Sequence, residues 1–203
     1  MSKLDWKKEL AHLYEASAKK VSLVDVPEQG FLMIDGHGNP NTEPRFRDAV
    51  EALYGLSYTL KFEIKLSAPE QDYKVMPLEA LWWMADGSPF DMNDKKQWCW
   101  TLLIGQPDVV TPARVERARE DLKKRRSSPL IDEVRYERWK EGLAAQVLHV
   151  GPYDAEGPTL DLLHAFIGEH GKRPRGKHHE IYLSDPRRCA PDKLKTILRN
   201  PVA

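Results

Sequence analysis

Cysteine is nearly absent. Cys99 and Cys189 are the only two in 203 residues, far apart and in no CxxC arrangement, which excludes a disulfide framework and a thiol-based zinc finger. Long apolar runs are missing as well: none approaches the ~20 residues needed to cross a bilayer. The opening Met1-Ser2-Lys3-Leu4-Asp5-Trp6 has no apolar stretch behind it of the kind a secretion signal carries. An unexported protein of a reducing cytoplasm with no membrane partner is expected. There is no net charge, because 31 Lys and Arg offset 31 Asp and Glu, so no global field would hold the chain on nucleic acid. No HExxH, carboxylate-rich metal set or GxSxG elbow occurs, and Gly36-His37-Gly38 lacks the third glycine of a dinucleotide loop. The expectation is a protein with no metal and no cofactor.

Tryptophan, by contrast, is abundant. Four of the six, Trp82, Trp83, Trp98 and Trp100, fall in one 19-residue window. Strand alternation sends Trp82 and Trp83 to opposite faces, so at most one of them enters any cleft, whereas Trp98 and Trp100 share a face. Indoles on strands are commonly core residues. Gathered in a cleft beside a carboxylate, they would form a box for flat apolar or cationic ligands.

Residues 4–18 place Leu4, Leu10, Ala11, Leu13 and Tyr14 at helical spacing, which predicts an amphipathic N-terminal arm over residues 1–20. Beyond it the chain repeats itself. An offset of 113 positions aligns Val21 with Val134, Glu28 with Glu141, Gly38 with Gly151, Glu43 with Glu156 and Leu53 with Phe166. Each copy reads as a short strand (21–26, 134–139), a turn, a second strand (31–36, 143–149), an amphipathic helix and two further strands (73–84 and 97–106; 178–184 and 194–199). A charged helix over 112–126, with Thr111 as N-cap, and the linker Arg125-Arg126-Ser127-Ser128-Pro129 join half one (21–110) to half two (131–203). The predicted fold is α+β, a tandem duplication of a β-α-β-β unit. It would comprise two antiparallel sheets packed toward each other, helices outside, and a ligand cleft on the pseudo-twofold axis.

Chemistry is most legible in His178-His179-Glu180-Ile181-Tyr182-Leu183-Ser184. Alternation puts Ile181 and Leu183 on one face and His178, Glu180, Tyr182 and Ser184 on the other. If that polar face lines an indole-walled cleft, Glu180 loses hydration and its pKa should rise, as a general base near neutral pH requires. A solvated strand face with Glu180 paired to a Lys or Arg reads equally from the residues. In His149-Val150-Gly151-Pro152-Tyr153-Asp154-Ala155-Glu156, the Gly and Pro set a turn and the acids suit a helix N-terminus, leaving Tyr153 to reach the cleft mouth. Residues 171–199 carry a basic excess that includes Arg175 and Lys177, read as solvated loop tips.

These stretches, His149-Val150-Gly151-Pro152-Tyr153, Gly176 through Pro186, Leu194 through Val202, and Leu81-Trp82-Trp83, resemble the GyrI-like small-molecule-binding proteins over residues 20–202. The last three point to a stand-alone subfamily similar to cyclopropanoid cyclopropyl hydrolases. The resemblance implies a duplicated fold with a ligand cleft, and hydrolytic opening of the strained ring of DNA-alkylating agents. Glu180 would activate water, and Tyr182 or His178 would orient it or donate to the developing phenolate. Trp82 or Trp83, Trp98, Trp100 and Tyr153 would contact the substrate. The rival reading is a binding protein that sequesters a small aromatic or cationic ligand without turnover. The few residues before the first repeat leave no room for a helix-turn-helix module.

Overall fold

The structure is a computed structural model that describes residues 4–88, 90–92, 94–125 and 129–203. The expected linker therefore lies largely outside the described residues. The N-terminal arm is not one helix but two four-residue turns, α1 (Trp6–Glu9) and α2 (Ala11–Tyr14), broken at Leu10. Its apolar residues stay buried because α2 docks against the strands, with Leu13 and Tyr14 in the core.

Each expected pair of short strands is one continuous strand. β1 spans Ser22–His37 and β4 spans Arg135–Val150. The Pro27-Glu28-Gln29-Gly30 cluster makes no turn, because β1 is held on both sides. It pairs antiparallel with β4 from Ser22↔Gln146 to Met33↔Arg135, and with β3 (Trp98–Gln106) from Gly30↔Gln106 to His37↔Cys99. Pro27, lacking an N–H, is skipped between Val26↔Gly142 and Glu28↔Lys140 without loss of register. Gly30 lies flat under the Tyr136 ring, where an added Cβ would come within 2.4 Å of the hydroxyl.

Helix α3 (Pro44–Ser67) follows β1. Pro44 is at its first turn, and Ala49, Ala52, Leu53, Leu56, Leu60 and Ile64 recur at helical spacing as a buried stripe. After it come β2 (Leu78–Met84), β3 and α4 (Pro112–Arg125), where the Thr111 hydroxyl accepts from the Arg114 N–H. Past β4, α5 (Gly157–Glu169) ends before Gly171, whose φ of 66° supplies the left-handed residue a helix terminus favours. β5 (His178–Tyr182) and β6 (Lys195–Pro201) complete the chain. Among the described residues no helix is long and apolar enough to cross a membrane.

The six strands form one closed antiparallel barrel, in the order β1-β3-β2-β5-β6-β4, rather than two facing sheets. The physical reason is edge pairing: β1 with β4 and β2 with β5 leave no free strand edge, which pairing stabilises better than solvation. Alternation then gives two environments. Phe31, Met33, Leu81 and Leu103 pack together inside the barrel, whereas Leu32, Ile34, Leu102 and Ile104 pack with the α3 stripe in the main core.

Part of the interior is charged. His179 places Nδ1 3.1 Å from both Glu141 carboxylate oxygens and Nε2 2.9 Å from Glu79. Arg199 binds Glu141 at 3.2 Å, Gln146 at 3.0 Å and the Leu13 carbonyl at 2.7 Å, and the Tyr14 hydroxyl donates to Glu79. Two carboxylates thus meet two cations, and α2 is tied to them. Burial alone would depress His179, but Glu141 and Glu79 raise it to about 9; burial opposes ionisation of Glu141, yet His179 and Arg199 hold it below its ordinary range.

Because the folded-state pKa of His179 lies above its ordinary 6.5, the stability it contributes is complete below about pH 6.5 and is lost as pH rises through about 9. His179→Gln should cost about 3–5 kcal/mol in urea unfolding at neutral pH, since it leaves two buried carboxylates with Arg199 as their single cation. It should also flatten the alkaline fall of stability. A variant as stable as wild type would remove the network from the folding account.

Candidate functional site

On the other face of the β2-β5 seam, Ala80 pairs directly with Glu180 and Trp82 with His178. The alanine opposite Glu180 leaves room that a larger side chain would fill. Glu180 is 8% exposed and accepts a 2.6 Å hydrogen bond at Oε2 from the Tyr182 hydroxyl. Its Oε1 lies 3.4 Å from Nε2 of His178, whose Nδ1 contacts Asn200 Oδ1 at 2.9 Å; since that amide oxygen only accepts, Nδ1 carries a proton. Burial and the neighbouring Glu180 raise Tyr182 well above its ordinary value, so it remains a hydrogen-bond donor.

A second carboxyl faces this one, and the sequence reading passed over it as a turn residue. Glu156 is the residue before α5, 1% exposed, with no capping bond from its side chain and no partner for Oε1. Gly151 at φ 142° and the 3-10 turn Tyr153–Ala155 bend the chain so that Glu156 turns inward. Burial first, and then the Glu180 charge, push its carboxyl far above the usual carboxylate range, with Lys95 only partly offsetting them. Burial beside the Glu180 charge thus keeps the Glu156 carboxyl protonated near neutral pH. The only signal for Glu156 in the sequence was its alignment with Glu43 in the repeat.

The aromatic residues divide. Trp82 meets Trp98 edge-on at 5.1 Å. Trp98 carries the Lys95 ammonium 5.5 Å over its ring and donates from its indole N–H to the Asp91 carbonyl. Phe90 covers the site, 5.0 Å from Trp98 and 5.5 Å from the His178 ring. Tyr153 is edge-on to Tyr182 at 5.6 Å. Trp100 shares the face but is fully buried, wedged against Phe46 at 5.2 Å; a Cβ on Gly36 would fall 2.1 Å from its ring. It is core. Trp83 points to the barrel side, away from Glu180, under the Lys177 ammonium. Among the sequence-predicted residues the structure therefore brings together Glu180, Tyr182, His178, Trp82, Trp98 and Tyr153, and leaves Trp83 and Trp100 outside the group. This group lies on the helix-bearing side of the barrel, not between facing sheets.

The family model for the GyrI-like small-molecule-binding domain matches residues 19–203. The chain belongs to the GyrI-like family. This GyrI-like protein is similar to an uncharacterized conserved protein from Listeria innocua at 40% identity and a TM-score of 0.91, covering 99% of this chain and all of that one. A protein described as a hydrolase from Listeria innocua is 38% identical, with a TM-score of 0.89 and full coverage of both chains. The C-terminal domain of EcmrR, at 12% identity and a TM-score of 0.53 over 91% of this chain and 97% of that one, shares the fold. No curated protein matches.

The division of the indoles is testable with a planar dye that quenches tryptophan emission. Trp98→Ala should weaken dye binding by roughly 1–3 kcal/mol while the fold persists. Trp100→Ala should instead cost roughly 3–5 kcal/mol of folding stability, as truncation of a buried indole does. Equal loss of dye affinity in both variants, without destabilisation of the second, would return Trp100 to the ligand wall.

Proposed function

We propose that this GyrI-like protein is a hydrolase that opens the cyclopropane ring of cyclopropanoid DNA-alkylating agents, detoxifying them. The observation that carries the reading is the pair of buried carboxyls, Glu180 and Glu156, set among Trp82, Trp98 and Tyr182. Near neutral pH such a pair provides one proton acceptor and one proton donor in the same pocket. Water attacks the ring methylene carbon as the strained C–C bond breaks, and its electrons pass into the dienone, which becomes a phenolate. Glu180, oriented by the Tyr182 hydroxyl, takes the proton from water, and the Glu156 carboxyl supplies one to the phenolate oxygen. The sum is the addition of one water. Trp82 and Trp98 stack on the flat substrate, which enters where Phe90 now lies. Hydrolase descriptions of relatives at 38% identity agree with this chemistry.

The same proposal takes the chain as a tandem duplication. Each half runs strand, helix, strand, strand, and the barrel order is unchanged when the halves are exchanged. Under that exchange Ala80 pairs with its own counterpart, Glu180, so a single ligand site falls on the axis. A second reading, binding without turnover, draws on the Lys95 ammonium over Trp98, which shows a ring face of this box accepting a cation.

Incubation with a cyclopropyl-dienone alkylator, followed by mass spectrometry for the water adduct, separates the two. Glu180→Gln keeps volume and hydrogen bonding but accepts no proton, so turnover should fall about 10²–10⁴-fold with substrate affinity retained. Glu156→Gln should lower turnover and remove the alkaline limb of the pH profile. Wild-type turnover in Glu180→Gln would sink the catalytic assignment. No hydrolysis by the wild type, with Glu180→Gln losing affinity for cationic dyes alone, would establish the binding protein instead.

A further inference from the structure

The residues that turn away from Glu180 build a second concavity. Met33, Leu81, Thr101 and Trp139 line the barrel side of a cavity of about 290 Å³ between β4 and the segment before β5, and Trp83 lies beneath Lys177, one of its lining cations. That volume lies just below the usual range for ligand pockets, about 300–1,000 Å³. Its rim holds four cations, Arg135, Lys140, Arg175 and Lys177.

These cations are poorly matched by carboxylates. Arg135 takes both acids near the rim, Asp35 at 2.8 Å and Glu137 at 3.1 Å, and Asp35 also accepts from Thr101. Glu141 at the floor is already neutralised by His179 and Arg199. Arg175 donates to the backbone carbonyls of Val202 and Glu141, which fixes its guanidinium without cancelling its charge. Lys140 and Lys177 have no ion pair among the described residues. Lys177 instead stands 3.3 Å over the Trp83 ring and is half-buried, and burial holds its pKa below the ordinary lysine value despite Asp35 and Glu137 nearby. An ammonium kept partly dry, with no counter-ion in hydrogen-bond contact, is an unfilled half of a charge-assisted hydrogen bond.

We propose that this barrel mouth is a second ligand site, taking a small flat organic carboxylate whose anionic end meets Lys177 and Arg175. Its carbon body would lie against Met33, Leu81, Trp139 and Pro201. Those apolar walls favour an organic anion over a bare inorganic one. The site stands on the opposite face of the β2-β5 seam from Glu180 and is independent of the hydrolytic reading.

The test is calorimetric titration of the intact protein with naphthoate and with its neutral isostere naphthamide. Naphthoate should bind at least about tenfold more tightly than naphthamide and should weaken with added salt, as charge-assisted contacts do. Lys177→Gln should abolish that preference, Lys177→Arg should restore it, and Glu180→Gln should leave it untouched. Equal affinity for the two probes, an unchanged preference in Lys177→Gln, or loss of naphthoate binding in Glu180→Gln would each overturn the proposal. The last would put the molecule in the Glu180 cleft.

Discussion

The pairing of β2 with β5 is the constraint on which the remaining organisation rests. It closes the barrel and fixes register at Ala80↔Glu180. Because side chains alternate along a strand, a slip by one residue would exchange every side chain between faces. His179 would leave its two carboxylates for the cleft, and Glu180 would enter the charged interior. The seam thus determines which acids are neutralised and which are left with chemical potential.

That contrast organises the polar groups. On the interior side two carboxylates and two cations are matched, and α2 contributes backbone carbonyls and a tyrosine to the set, so the cluster is structural despite its burial. On the helix side the Glu180 charge acts on the buried Glu156 carboxyl and Lys95 only partly offsets it, and among the described residues buried Thr196 Oγ1 and Glu156 Oε1 have no hydrogen-bond partner. Buried polar atoms left unpaired cost stability, and proteins keep such groups where a ligand or water uses them. The two faces of one strand therefore differ: His179 sits in the matched charge network inside the barrel, while Glu180 lies on the helix side with the Tyr182 hydroxyl as its hydrogen-bond donor.

Much of this was legible from the residues. Alternation in 178–184 separated Glu180 from Ile181, and helical spacing located α3, α4 and α5. Three features depended on contacts far apart in sequence. Closure into one barrel requires β1 to meet β4, which no local pattern encodes. The choice between Trp82 and Trp83 follows from which side of β2 faces α3. Glu156 was hidden because an acid before a helix ordinarily caps it in solvent, whereas here the turn at Gly151 directs the carboxyl inward, where only the folded chain supplies Glu180 as a neighbour.

The central claim is that the buried Glu156 carboxyl stays protonated beside the Glu180 charge. Infrared difference spectroscopy of carboxyl groups tests it directly, with wild type compared against Glu156→Gln and Glu180→Gln between about pH 6 and pH 9. The account predicts a protonated-carboxyl band in the wild type that persists above neutral pH and disappears in Glu156→Gln. In Glu180→Gln the band should be lost at lower pH, because the neighbouring negative charge is gone. A wild type with both carboxylates ionised at about pH 7, or a band unaffected by either substitution, would contradict it.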